Sequence, residues 1–200
     1  TKTPLHLLSK IASEIGVKNI YYKDESSRFD LGSFKALGGT YGVLKFIHHA
    51  LQLELGKGVS IQDIHQGKYS KQVLKYTVTT ATDGNHGRSV AFGAKLFGCK
   101  CQIYIHSEVS AGRQKAMEDL GANVVRISGN YDESLQICID DAKKNNWHVI
   151  SDTSYEGYTK YPRYIMAGYN VMAEEISDQI KDRPLPTHIF LQGGVGSFPA

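Results

Sequence analysis

Along the chain, short runs rich in Val, Ile and Thr alternate with segments whose apolar residues recur every three or four positions. The first pattern is typical of buried strands, and the second places apolar side chains on one face of a helix. Their alternation predicts an α/β fold with a parallel sheet covered by helices on both faces. The predicted strands are 20–23, 76–81, 102–106, 123–127, 147–151 and 188–191. The predicted helices are 5–15, 34–47, 90–97, 111–120, 131–144 and 162–176.

One stretch, 56–70, shows neither pattern. We interpret it as a polar loop region, with an insertion as the alternative. The sequence ends just after a glycine-rich loop, which normally leads into another element, so we expect the chain to be a fragment that lacks a C-terminal part.

Composition limits the class of protein. Of the 200 residues, 41% are hydrophobic and 22% charged, which is typical of a globular protein. The net charge is +3 without a block of Lys and Arg, which argues against nucleic-acid binding. No apolar run approaches the roughly 20 residues needed to cross a bilayer, and the first residues lack the layout of a secretory signal. We therefore expect a cytoplasmic protein without membrane or nucleic-acid partners.

The three cysteines, Cys99, Cys101 and Cys138, are odd in number. Reduced thiols of a cytosolic protein are the simplest interpretation. Cys99 and Cys101 could form half of a zinc site, but no second ligand pair has a suitable spacing, so no metal site is predicted.

The first candidate for chemistry is Lys35, in the first turn of the helix that follows Ser33. The helix dipole and apolar neighbours disfavour a cation there, and a neutral amine is what attack on an aldehyde requires. The alternative is a solvated surface lysine. Gly38 and Gly39 follow in the same helix at a cost of about 1 kcal/mol each, so we expect a ligand or a neighbouring backbone to come close.

Two further candidates follow strands, where a parallel sheet places its ligands. The polar turn 82–88 contains Asp83, which could act as a base or hold an ammonium group, and Asn85, which could donate to a ligand oxygen. The alternative is an ordinary loop in which Asp83 accepts from helix amides. Asp152 comes directly after the strand 147–151, and its alternative is a solvated loop acid.

A glycine-rich loop follows the last predicted strand. The consecutive amides of such a loop can bind a phosphate, although a simple turn is the alternative. Pro199 breaks the dinucleotide pattern, and no nucleotide phosphate loop occurs, which favours a compact phosphate-bearing cofactor. The loop residues concerned are Gly193, Gly194, Val195, Gly196 and Ser197.

Taken in this order, the motifs resemble those of the fold-type II pyridoxal-phosphate enzymes, the group of threonine dehydratase, cysteine synthase and tryptophan synthase β. Within the group they are most similar to the diaminopropionate ammonia-lyases. The matching segments are YKDESSRFDLGSFKALGG at 22–39, ATDGNHGR at 81–88 and SDTSYEGY at 151–158. Dehydratases of the group usually have two serines where this chain has Thr82 and Asp83.

The resemblance implies two parallel-sheet α/β/α domains with pyridoxal phosphate between them. Residues 1–43 and 164–200 would belong to the larger, cofactor-binding domain, and 44–163 would form the smaller one. Lys35 would hold the cofactor covalently, Asn85 would bind its ring oxygen, and the glycine-rich loop would bind its phosphate. The residue that contacts the pyridine nitrogen would lie in the missing C-terminal part.

The implied reaction eliminates ammonia from D- and L-2,3-diaminopropionate and gives pyruvate. Lys35 would serve the L isomer, Asp83 the D isomer, and Asp152 would bind the β-ammonium group. Enzymes of the group are often homodimers. The alternatives are a serine or threonine dehydratase of the same group and a non-catalytic module that binds an amino acid or a nucleotide.

Overall fold

The computed structural model describes residues 2–56, 58–194 and 196–199. Its helices are α1 (Ser9–Glu14), α2 (Lys35–Leu55), α3 (Ile61–His65), α4 (Ser70–Val73), α5 (Asn85–Phe97), α6 (Ala111–Glu118), α7 (Tyr131–Asn145) and α8 (Lys160–Ile180). Its strands are β1 (Leu5–Leu7), β2 (Tyr21–Lys23), β3 (Thr77–Ala81), β4 (Lys100–Ile105), β5 (Asn123–Arg126) and β6 (His148–Val149).

Four strands form a parallel sheet in the order β5-β4-β3-β6. A parallel neighbour can be reached only through a crossover, and the intervening helices supply these connections. The carboxyl ends of β3, β4 and β6 therefore lie along one edge, which we call the carboxyl edge. The predicted parallel α/β sheet is confirmed.

Both faces of this sheet are covered. Ile103 and Ile105 of β4 join the larger core, to which α2, α5 and α8 contribute, whereas Tyr104 between them joins a second cluster with Cys138 of α7. This alternation follows from the two-residue period of a strand. The result is the predicted three-layer arrangement, with helices on each side of the sheet.

The paired glycines of α2 allow neighbouring helices to approach closely. A Cβ atom at Gly38 would lie 2.6 Å from the ring of Tyr169 in α8, and one at Gly39 would lie 2.5 Å from Ser89 Oγ in α5. The Ser89 hydroxyl also donates to Ala36 O at 3.0 Å and accepts from the Thr40 amide at 3.0 Å. The close approach expected at these glycines is thus made by the neighbouring helices α5 and α8.

The N-terminal segment differs from the prediction. The helix expected over 5–15 begins only at Ser9, because residues Leu5–Leu7 form β1 and pair antiparallel with β2. This pairing joins Leu5 to Lys23 and is therefore invisible to local periodicity. The stretch interpreted as a polar loop, 56–70, contains α3, whose first turn is capped where the Ser60 hydroxyl accepts from the Asp63 amide at 3.0 Å.

The strand predicted at 188–191 is absent from the structure. No described strand lies beside this segment to share backbone hydrogen bonds, and residues Ile189 and Phe190 are 75% and 93% exposed. An apolar segment without a partner strand has no ladder to join. Among the described residues, no helix is both long and apolar enough to span a membrane.

Candidate active site at the carboxyl edge

The carboxyl edge brings Lys35 and Asp152 into direct contact. Lys35 is the first residue of α2, and its amide donates to the Ser33 hydroxyl at 3.2 Å. Its Nζ lies 2.7 Å from Oδ2 of Asp152, just beyond β6. The Asp152 side chain is only 7% exposed and that of Lys35 28%. Neither residue is the freely solvated surface group that was its alternative interpretation.

His86 completes this cluster and was not singled out from the sequence. Its ring is buried, and Nε2 lies 2.7 Å from the carbonyl oxygen of Ile150. Because a carbonyl only accepts, Nε2 carries a hydrogen and donates it. Nδ1 then faces Oδ2 of Asp152 at 3.8 Å. The only sequence signal was the position of His86 inside the polar turn 82–88.

The charges of this cluster favour an ionised Asp152. Burial raises the pKa of the Asp152 carboxyl, but His86 and Lys35 act against burial and leave the pKa below its usual value. A buried carboxylate with two cationic or polar partners can stay charged where an isolated one could not. The edge therefore contains a fixed negative charge beside the Lys35 amine.

Asp83 lies in the turn between β3 and α5 and is held differently. The amides of Gly84 and Gly87 donate to the Thr82 hydroxyl at 3.0 and 3.1 Å, so Thr82 performs the capping role that was the alternative for Asp83. The Asp83 carboxylate instead accepts from Nε2 of His106 at 3.0 Å, and its side chain is 64% exposed. Asp83 makes no hydrogen bond or ion pair with Lys35 or Asp152.

Tyr131, the first residue of α7, links the two acids electrostatically. Burial raises the pKa of its phenol, and the carboxylates of Asp152 and Asp83 raise it further. Both charges therefore reach one phenol.

The structure brings only some of the predicted cofactor-binding residues together near Lys35. Asn85 is the first residue of α5; it is exposed, and its side chain has no hydrogen-bond partner within the described part of the chain. Gly193, Gly194 and Gly196 are exposed, and an added Cβ would meet no atom within 4 Å at any of them. Val195 lies outside the described residues.

The end of the glycine-rich loop does return to the lysine. The ring of Phe198, next to Ser197, lies 4.4 Å from the ring of Phe34 and 5.9 Å from that of Tyr169. Phe34 directly precedes Lys35. Phe198 thus places the end of the loop beside the turn of α2 that carries Lys35.

These residues fit pyridoxal phosphate. A compact phosphate-bearing aldehyde requires three groups, and all three are present. They are an amine for its aldehyde carbon, a side-chain amide without a described partner, and an open glycine-rich loop.

Two surface cavities of about 280 and 510 Å³ lie elsewhere, at the amino ends of the strands, and share Cys99, Cys101 and Gly121. Their position argues against a role in this chemistry, because ligands of parallel sheets bind at the carboxyl ends.

A comparison with known families agrees with this fit. The family model described as pyridoxal-phosphate dependent enzyme matches residues 1–200. The chain belongs to this family. The membership establishes the fold-type II α/β architecture and the cofactor class that the motifs had predicted.

Individual members of the pyridoxal-phosphate family give a finer comparison. The chain is 38% identical over 196 residues to the diaminopropionate ammonia-lyase of Escherichia coli strain K12. This alignment covers 98% of this chain and 48% of the relative. It is 26% identical over 191 residues to a probable D-serine dehydratase of Rhizobium leguminosarum bv. trifolii. That alignment covers 90% of this chain and 42% of the relative.

A solved structure matches equally well. The crystal structure of Escherichia coli diaminopropionate ammonia lyase in complex with D-serine superposes with a TM-score of 0.88 at 37% identity, over 100% of this chain and 50% of that one. The chain spans about half the length of the curated relatives it matches.

Proposed function

We propose that the protein containing this chain is a pyridoxal-phosphate-dependent ammonia-lyase acting on D- and L-2,3-diaminopropionate. The overall reaction consumes one water and releases pyruvate and two molecules of ammonia. The observation that carries the proposal is the ion pair between buried Asp152 and the Lys35 amine, with a second acid, Asp83, in the turn after β3 at the same sheet edge. A substrate with a second ammonium group needs acidic partners that a hydroxy amino acid does not.

Pyridoxal phosphate, when bound, withdraws electrons from the α-carbon of an amino acid and so makes its α-proton acidic. Lys35 would bind the aldehyde carbon through Nζ, and Asn85 would donate to the ring oxygen. Amides of Gly193, Gly194, Val195, Gly196 and Ser197 would bind the phosphate.

Proton removal needs one base for each face of the cofactor, because the two isomers present their α-protons on opposite sides. Lys35 would accept the α-proton of the L isomer, and Asp83 that of the D isomer. His106 donates to Asp83 at 3.0 Å and so orients its carboxylate while leaving it exposed to solvent. General bases of this kind contribute about 10²–10⁴-fold in rate.

Departure of the β-amine depends on its proton, since an amide ion is a very poor leaving group. Asp152 would bind the β-ammonium group and keep it protonated until it leaves. Its lowered pKa supports this role, because an ionised carboxylate is the form that pairs with an ammonium. The ion pair with Lys35 shows that Asp152 accepts an alkyl ammonium group at 2.7 Å.

The remaining parts of the proposal follow the family resemblance. We place residues 1–43 and 164–200 in the larger domain and 44–163 in the smaller one, a division that runs through α2 and α8. We also propose a homodimer in the cytoplasm that binds a small amino acid as its substrate, without a nucleic-acid or membrane partner.

A dehydratase that removes water from D-serine is the second candidate. It is favoured by the 26% identity to a probable D-serine dehydratase, whereas the acidic Asp83 in place of a serine favours the diamino acid. A non-catalytic binding module is opposed by the 38% identity to a diaminopropionate ammonia-lyase and by the position of Lys35 at the ligand edge.

A substrate panel on the purified full-length protein separates these functions. We expect D- and L-2,3-diaminopropionate each to yield two ammonia molecules per pyruvate, with slower turnover of D- and L-serine. Ammonia release from serine alone would establish the dehydratase, and no release from any of the four would establish a binding module.

A further inference from the structure

The motif 151–158 contains a tyrosine, Tyr158, to which the proposed reaction gives no role. It faces the free side of β6, which is the edge strand of the sheet. On its inner side β6 pairs with β3, and the Ile150 amide extends this pairing to Thr79 O at 2.8 Å. Because backbone groups alternate along a strand, Val149 O and the Ser151 amide point away from β3.

The Tyr158 hydroxyl binds both of these groups. It donates to Val149 O at 2.8 Å and accepts from the Ser151 amide at 2.9 Å. A neighbouring strand would offer one donor and one acceptor at the same places, and a phenol can be both at once. Burial raises the pKa of Tyr158, which keeps the hydroxyl protonated and able to donate.

The loop itself holds the Tyr158 ring in place. Tyr155 and Tyr158 exchange backbone hydrogen bonds of 2.9 and 3.4 Å, and their rings stack with centroids 4.8 Å apart. Gly157 between them has φ of +80°, a left-handed conformation that favours glycine. The chain thus leaves β6, turns and returns its own side chain to the strand edge.

We propose that Tyr158 is a positioning residue that fixes the backbone from which Asp152 reaches Lys35. The role of Asp152 in catalysis rests on the proposed function, whereas the geometry that Tyr158 imposes on Asp152 does not depend on it. The Ser151 amide lies one residue before Asp152, so a shift there moves the carboxylate relative to Nζ of Lys35. His86 holds the same segment from the other side through Ile150 O at 2.7 Å.

The matched pair of variants is Tyr158→Phe and Tyr155→Phe in the full-length protein without cofactor, in which Lys35 Nζ is free to pair with Asp152. Each removes one hydroxyl from the same stacked pair, but the Tyr155 hydroxyl has no hydrogen bond to any residue that the structure describes. We expect Tyr158→Phe to speed hydrogen exchange of the Ser151 amide by about 10-fold, the worth of a hydrogen bond. Tyr155→Phe leaves that exchange unchanged.

The second readout is the titration of the Asp152 carboxyl carbon by ¹³C NMR. In Tyr158→Phe the midpoint rises, because the carboxylate lies less close to Lys35 and His86, and in Tyr155→Phe it does not move. A lower melting temperature with an unchanged Asp152 midpoint would overturn the proposal and leave Tyr158 a purely structural role, as would unchanged exchange of the Ser151 amide.

A rescue variant keeps the test decisive if Tyr158→Phe fails to fold. Replacement of Tyr158 by 4-aminophenylalanine retains a donor and an acceptor at the same place, so the Asp152 midpoint should match that of the unsubstituted enzyme. A midpoint that differs despite a normal fold would contradict the proposal. Neither readout requires turnover, so a wrong substrate assignment cannot be mistaken for failure of this inference.

Discussion

Asp152 and Asp83 occupy the same sheet edge but lie in opposite surroundings. Asp152 is buried and contacts Lys35 and His86, and hydrogen bonds on both sides fix the backbone that leads to it. Asp83 is largely exposed, and within the described residues its carboxylate accepts a hydrogen bond only from His106, while Arg113 donates to its backbone carbonyl.

The difference teaches how one edge can supply two kinds of carboxylate. A buried acid with fixed partners keeps its charge and its position, which suits the binding of an ammonium group. An exposed acid with one partner can take up and release a proton with little cost in reorganisation. The comparison therefore supports the proposed roles, with binding by Asp152 and proton transfer by Asp83.

The largest expected effect comes from Asp152→Asn, which removes the buried charge with little change in shape. Turnover of both isomers should fall by about 10²–10⁴-fold, because each needs its β-ammonium group bound. Steady-state kinetics with the two isomers measures this. Asp119→Asn, which breaks only the exposed pair with Lys115, is the control and should change neither rate. A loss confined to one isomer would contradict the assignment.

Asp83→Asn should produce a selective loss. Turnover of the D isomer should fall by about 10²–10⁴-fold, whereas that of the L isomer should change only slightly, since Lys35 serves as its base. The ratio of kcat/KM for the two isomers is the measurement. Equal losses of turnover for the two isomers would contradict the assignment of Asp83 as the base for the D isomer.

Glu175, a buried carboxylate away from the carboxyl edge, tests whether cationic partners keep a buried acid ionised in this fold. Burial opposes its ionisation, but hydrogen bonds from Arg28 and Lys23 outweigh burial and lower the pKa of Glu175 from 4.5 to about 2. A lowered pKa stabilises the folded state above pH 4.5, and this contribution is lost as the pH falls from 4.5 toward 2. The shift corresponds to at most about 3 kcal/mol.

Urea unfolding at pH 7 and pH 3 tests this contribution. Glu175→Gln should be less stable than the unsubstituted protein at pH 7 and should lose less stability on acidification. Asp178→Asn, which removes an exposed pair with Lys2, is the matched control and should change little at either pH. An unchanged pH dependence in Glu175→Gln would show that a buried carboxylate here is not stabilised by its cations.

The smallest effect tests the packing beneath Lys35. Gly38→Ala should lower the free energy of unfolding by about 1–3 kcal/mol, because the added methyl meets Tyr169 and Ile165 at 2.6–2.7 Å. Gly112→Ala in α6, where nothing lies within 4 Å, should instead stabilise by about 0.5–1 kcal/mol. Equal effects of the two changes, measured by urea unfolding, would contradict close packing of α2 on α8.

The sequence predicted the parallel sheet because its signals are local. Each strand from β3 to β6 is a short apolar run followed by a helix, and the carboxyl-edge rule then placed Asp83 and Asp152 correctly. Pairing between distant segments carries no such signal. The pairing of Leu5 with Lys23 was therefore missed, and a strand was predicted at 188–191 where no partner lies.

The contacts inside the site were equally beyond the sequence. Lys35 and Asp152 are 117 residues apart, and their ion pair arises only when α2 and β6 pack together. The roles of His86 and Tyr158 depend on the backbone carbonyls of Ile150 and Val149, which no residue identity reveals. Motifs identify which residues matter, whereas their mutual geometry is a property of the fold.

The most direct test of the account is to locate the covalent link between cofactor and protein. The full-length enzyme, loaded with pyridoxal phosphate, is reduced with borohydride, digested and mapped by mass spectrometry. The account predicts the phosphopyridoxyl group on Lys35 and its loss in Lys35→Ala, with Lys45→Ala as a control on the same helix that keeps the label. A label on another lysine, or on none, would contradict it.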